Sequence, residues 1–254
     1  MKSQSNSSFA RWQRLLKSEL ADETDPKRFD GIRRRLKQFP FLKSLKTEQD
    51  IRDTLSLISQ GRALLRAAIE ESLEYQAPEG KRLSPARRAR VVQWRFVMAF
   101  SGVETLSRGL ILPRSNTWTK PRFGQYIREM DGCLKLTKKH PLEPVVSPKH
   151  GNARPSKVRE EFFAATNLTE GGKMARTLNL NKFDVKLLGD WINGEHALES
   201  WADRLNVAKA LRNCTVHGAL SADKAHKLGF IPALTSFTTD LDRFANEVFV
   251  RLVE

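Results

Sequence analysis

Apolar residues recur at helical spacing wherever the chain is regular, and alternating runs bounded by hairpin turns are nearly absent, so the pattern predicts an all-α fold. Phe9, Trp12, Leu15, Leu16 and Leu20 make one stripe, and after Pro26 the pattern repeats with Phe29, Ile32, Leu36 and Phe39. These predict two short helices with strongly basic outer faces, the second carrying Arg33, Arg34 and Arg35 just before a Phe39-Pro40-Phe41 breaker. Thr47 followed by Asp50 resembles a capping box, and Ile51, Leu55, Ile58, Leu65, Ile69 and Leu73 predict one long helix beyond it, to about Tyr75. After the polar linker APEGKRL, Ser84 is placed to cap and Pro85 to open a second helix running through Val91, Trp94, Met98 and Leu106 towards Leu110. The two are expected to pair as a hairpin.

Over 113–194 the signals are shorter and broken by Pro and Gly, with helical pieces expected near 123–138 and 156–167. We read this stretch as an insertion whose Pro-rich, basic segment PLEPVVSPKHGNARPSK is a mobile loop. Regularity then returns. Leu198, Trp201, Leu205, Ala208 and Leu211 form a seam ending at Gly218, and Leu234, Phe237, Leu241, Phe244, Val248 and Leu252 form a closing core helix. The organisation expected is a basic helical extension over 1–46, a helical hairpin over 47–112, the insertion over 113–194, and the second half of a helical core over 195–254. No internal repeat is visible.

Charge changes the picture. The 254 residues carry 44 Lys and Arg against 29 Asp and Glu, a formal net charge of +15. Such a balance suits a polyanion, nucleic acid first, because Lys and Arg on phosphates release counterions and give affinity independent of sequence; an anionic membrane surface is the weaker alternative. No apolar run approaches the roughly 18 to 20 residues that cross a bilayer, and the N-terminus lacks the apolar segment of a secretory signal, so no membrane association and a cytoplasmic location are expected. Cys133 and Cys214 stand far apart with no zinc-ligand spacing, and no phosphate-cradling glycine loop or HExxH helix is present, so no metal site and no cofactor are expected. His140, His150 and His226 lie among lysines and read as solvated.

The segment LRNCTVHG carries the candidate chemistry. Asn213 and His217, four residues apart, share a helical face, and Arg212 is long enough to lean towards them. Metal-free RNA cleavage needs a base for the 2′-hydroxyl, an acid for the leaving 5′-oxygen and a cation for the charged phosphorane. His transfers protons near neutrality and Arg binds phosphate through two parallel hydrogen bonds. Asn213 is expected to orient the imidazole or the phosphate, and Glu104 of the preceding helix is a candidate carboxylate for holding Arg212 or His217. The plain structural alternative makes Arg212 a surface charge and His217 a helix C-cap.

This arrangement, R-x4-H with Asn after Arg and Gly after His on a late amphipathic helix, resembles the HEPN superfamily. The resemblance covers the motif, the hairpin before it and the helix after it; it does not cover 1–46 or 113–194. It implies a four-helix bundle, a metal-independent endoribonuclease acting in defence or stress systems such as toxin–antitoxin pairs, and a homodimer in which two motifs share a composite site. A cognate antitoxin or another defence-complex protein is the implied partner. A second reading is a non-catalytic RNA-binding subunit of a larger ribonucleoprotein, and a third, a DNA-binding regulator, lacks a helix-turn-helix pattern.

RNA contact is expected mainly outside the motif. Residues 1–46 carry 12 Lys and Arg against 5 acids, and 113–159 carry 11 against 3. Arg33, Arg34, Arg35, Lys135, Lys138 and Lys139 are the phosphate-binding candidates, and Trp12, Trp118, Phe123 and Tyr126 interleave with such charges as single-stranded RNA requires. Trp94, Trp201, Phe237 and Phe244 sit on helical stripes and are expected in the core.

Overall fold

The computed structural model describes residues 47–70, 83–111, 123–136, 142–149 and 151–253. Over these residues the fold is all-α: nine helices and no strand. They are α1 (Glu48–Glu70), α2 (Pro85–Ile111), α3 (Phe123–Leu134), α4 (Pro155–Thr166), α5 (Lys173–Thr177), α6 (Lys182–Ile192), α7 (Trp201–Val216), α8 (Ala222–Lys227) and α9 (Phe230–Val253). The two basic helices expected within 1–46 lie outside the described residues, as do Trp12, Arg33, Arg34 and Arg35.

The hairpin of α1 and α2 follows from its local chemistry. The Thr47 hydroxyl accepts from the Asp50 amide at 3.1 Å while the Asp50 carboxylate accepts from the Thr47 amide at 2.8 Å, which satisfies donors that the first turn cannot pair internally. Pro85 opens α2, and the Ser84 hydroxyl accepts from the Arg87 amide at 3.4 Å. Between the helices, glycine sets the distance. A Cβ added at Gly61 would stand 2.6 Å from the Gly102 carbonyl oxygen, and one at Gly109 would stand 2.9 Å from that of Thr54. Since 61 faces 102 while 54 faces 109, the helices are antiparallel.

Helix α2 is the hub: α1, α7, α8 and α9 all pack on it. Its core stripe is Ala89, Phe96, Val97, Phe100, Val103 and Leu106, and this corrects the expectation for Trp94, which is 58% exposed. Residues 91, 94 and 98 do recur at helical spacing, but the stripe through Phe96 and Phe100 is the one that meets α9, with Phe96 and Phe237 ring centroids 6.2 Å apart. Ile69 of α1 is likewise exposed, whereas Trp201, Phe237 and Phe244 are fully buried as expected.

The core does not divide at residue 194. Trp191 of α6 packs edge-on against Phe237 at 5.4 Å and Phe162 of α4 against Phe230 at 5.1 Å, so helices from the expected insertion help form the same apolar interior as α7 and α9. The Pro-rich segment differs from its expectation too. Over 142–149 it forms neither helix nor strand but is pinned: Leu142 and Val145 are buried, the Trp191 indole donates to the Val145 carbonyl at 3.2 Å, and Ser147 donates to the Trp191 carbonyl at 2.8 Å. Arg204 donates to the Glu143 carbonyl. Gly229, at φ +73°, lets the backbone of Lys149 approach so closely that a Cβ there would stand 1.9 Å from its carbonyl oxygen. Proline and charge suggested solvation, but buried donors on α6 and α7 need acceptors, and this segment supplies them.

Candidate active site

Helix α7 carries the motif. Ser200 caps its start, accepting from the Asp203 amide at 3.1 Å, and a ladder of buried residues from Trp201 to Cys214 faces inward. His217 is the C-cap residue. Gly218, at φ +74°, then reverses the chain, so that the Gly218 amide donates to the Thr215 carbonyl at 3.1 Å and the Leu220 amide to that of Cys214 at 2.9 Å. A left-handed glycine closing a helix in this way satisfies carbonyls that the last turn leaves open. The reversal is tied to α2, because the buried Gln93 amide donates to the Leu220 carbonyl at 2.9 Å.

Three of the four candidate site residues stand together. Arg212 lies 3.6 Å from the Glu104 carboxylate of α2 and donates to the Asn213 side-chain oxygen at 2.9 Å. Its guanidinium is 5.9 Å from the centre of the Phe100 ring, and 26% of the side chain is exposed. Glu104 also accepts from Arg108 at 3.0 Å, so one carboxylate bridges two guanidiniums. Helix α2 thereby holds Arg212 by charge from the side and by a ring face.

Asn213 does not share an open face with His217. It is buried, and while its oxygen serves Arg212, its amide nitrogen donates to the Leu178 carbonyl at 2.8 Å. The reason is the helix end: His217 is the last residue of the turn and swings outward, while Asn213, one turn earlier, still faces the interior. Asn213 therefore locks α7 to the turn after α5 and orients Arg212. His217 is exposed, as is its neighbour Val216. Cys214 lies inside the motif, but burial pushes its thiol up to about 12, so it stays protonated and is no nucleophile.

Of the phosphate-binding candidates, Lys135 is exposed just after α3, at φ +54°. Lys138 and Lys139 lie outside the described residues, as do Trp118 and the side chains of Phe123 and Tyr126. Sequence reasoning missed Phe100, Arg108, Gln93 and the Leu178 carbonyl. Only the Glu104 to Arg108 spacing was a readable signal, since an i,i+4 acid–base pair on a helix is a standard contact. It also missed α6, although Asn181 and Asp184 form a reciprocal capping box that announces it.

Among the described residues no group of three or more His, Cys, Asp or Glu stands together as a metal set, and no helix is long and apolar enough to cross a membrane. The chain matches no known protein family, no curated protein and no solved structure.

Proposed function

We propose that this protein is a metal-independent endoribonuclease of the HEPN type, cutting single-stranded RNA in a defence or stress setting. The observation that carries the reading is the pairing of Arg212 with Glu104 and Asn213 on the helix that ends at an exposed His217. A guanidinium fixed from behind and an accessible imidazole are the two groups that metal-free transphosphorylation needs. In that step the 2′-oxygen attacks phosphorus and gives its proton to a base, the phosphorus to 5′-oxygen bond breaks, and the leaving oxygen takes a proton from an acid. One chain offers one such imidazole, so the proposal includes a homodimer whose two motifs face a shared cleft, its activity restrained by a cognate protein. Glu104 and Asn213 act as positioning residues for Arg212.

The test is cleavage of a single-stranded RNA in EDTA, with the ends analysed for 2′,3′-cyclic phosphate. The rate is expected to be insensitive to EDTA and to fall by about two to four orders of magnitude in His217→Ala, with the fold and RNA affinity kept. A folded His217→Ala protein that cuts at the parent rate would sink the assignment. A net charge of +15 favours a second reading, a non-catalytic subunit that holds RNA within a larger complex, and the same assay separates the two, since that protein binds but never cuts.

A further inference from the structure

Helix α2 carries a surface that the motif does not explain. Trp94 leaves 58% of its area exposed, and it stands on the hub helix rather than in a loop. Arg87 and Arg90 precede it at helical spacing and are exposed, Arg88 is exposed beside them, and Val91 and Met98 form a half-buried apolar margin. The first turn of α2 holds no acidic residue, and the one carboxylate in the helix, Glu104, is already engaged with Arg108 and Arg212. An uncovered indole on a cationic helix face is complementary to a strand that presents phosphates and unpaired bases together.

Its place relative to the motif follows from two contacts. Glu104 meets Arg212, and Gln93 meets the Leu220 carbonyl, so α7 and the turn after it run antiparallel to α2. With a rise of about 1.5 Å per residue, Trp94 lies roughly 15 Å along α2 from Glu104, and His217 falls about midway between those two levels. Val216, next to His217, is exposed as well.

We propose that Trp94 is a stacking platform for an unpaired base of single-stranded RNA, with Arg87 and Arg90 on its phosphates, leading the strand past His217. The inference rests on the ribonuclease reading only for what happens to the strand, not for its binding. The indole face takes any base, so this subsite sets the path and the preference for unpaired RNA rather than a sequence.

The experiment measures fluorescence polarisation of a short oligouridine with 2′-O-methyl riboses, which cannot be cleaved, and of the same strand with abasic positions, against the full chain. Trp94→Ala is expected to lose about tenfold in affinity for the base-bearing strand, Trp94→Phe to keep most of it, and both to match the parent on the abasic strand. Arg87→Glu with Arg90→Glu is expected to weaken both strands alike and to flatten the salt dependence. Because Trp94 is exposed, Trp94→Ala should unfold at the parent's midpoint. Three results would overturn the proposal: parent affinity in Trp94→Ala, no binding of either strand by the parent, or a Trp94→Ala protein that changes from dimer to monomer at unchanged RNA affinity. The last would give the surface to a second copy of the chain. A Trp94 effect on binding in a protein whose cleavage survives His217→Ala would leave this subsite standing and remove the proposed catalytic function alone.

Discussion

Two arginines on α7, Arg204 and Arg212, are each paired with a carboxylate from a neighbouring helix, yet they are held in opposite ways. Arg204 is 2% exposed and bonds Asp240 at 2.7 Å, the Leu198 carbonyl at 3.0 Å and the Glu143 carbonyl, and its guanidinium lies 5.8 Å from the Trp201 ring centre. Arg212 is 26% exposed, sits 3.6 Å from Glu104, and its Nε is buried without a partner. The first uses its donors to join α9, the pinned segment and the loop before α7. The second is fixed at its rear by Glu104 and Asn213 and leaves part of its side chain at the surface. An arginine enclosed by its partners is a structural ion pair, whereas one that is held at the rear and still partly exposed is open to an anion.

The largest effect expected from breaking this contrast is on turnover. Arg212→Ala should lower the RNA cleavage rate by about two to three orders of magnitude, as loss of one preorganised donor to a charged transition state does, with little change in the unfolding midpoint. Single-turnover kinetics beside thermal unfolding measures both, and a variant that cuts normally would make Arg212 structural like Arg204.

Arg204→Ala should do the reverse. Removing one partner of a buried pair leaves Asp240 and two carbonyls without their donor and should cost about 3 to 5 kcal/mol in urea unfolding. A loss below about 1 kcal/mol would show that the pinned segment finds other donors or water.

Glu104→Gln sharpens the comparison from the carboxylate side. A partly exposed pair at this distance should contribute no more than about 1 kcal/mol to stability. If Glu104 positions Arg212, turnover should nevertheless fall by about tenfold with the pH profile of the rate unchanged in shape, in line with the loss on removing a group that orients a catalytic ligand. Equal cleavage by the two proteins would leave the contact without a role.

The smallest effect is a pH slope at Asp240. Burial, ahead of its pairing with Arg204, raises the Asp240 carboxyl above the ordinary carboxylate range. The folded protein then holds that proton more tightly than the unfolded chain, so stability from this group is greatest in acid and declines as pH rises through the ordinary carboxylate value to the raised one. Asp240→Asn should remove that decline from the difference between parent and variant urea curves across the acid range. A difference that runs the other way would mean that the charge of Arg204 outweighs burial.

Much of the fold was legible along the chain because its signals are local. Thr47 with Asp50, Ser84 with Pro85, and the three-four spacing from Leu234 to Val248 each act within a few residues, and the corresponding helices stand where that chemistry puts them. The placement of Arg212 and His217 at the end of α7 was legible for the same reason. Which of two interleaved apolar stripes on α2 faces the core was not, because it is set by Phe237 and by the Gly61 to Gly102 approach from distant parts of the sequence, and so Trp94 was misplaced.

By itself, then, the sequence determined the helical periods, the caps, the excess of positive charge and the order of residues in LRNCTVHG. Tertiary structure alone decided that Asn213 turns inward to Leu178 and Arg212, that Glu104 reaches Arg212 and not His217, and that the Pro-rich segment is held by Trp191 and Arg204. The physical reason is that a cap or a stripe is satisfied by neighbours a turn away, whereas a buried donor takes whichever acceptor the packing of other helices brings to it.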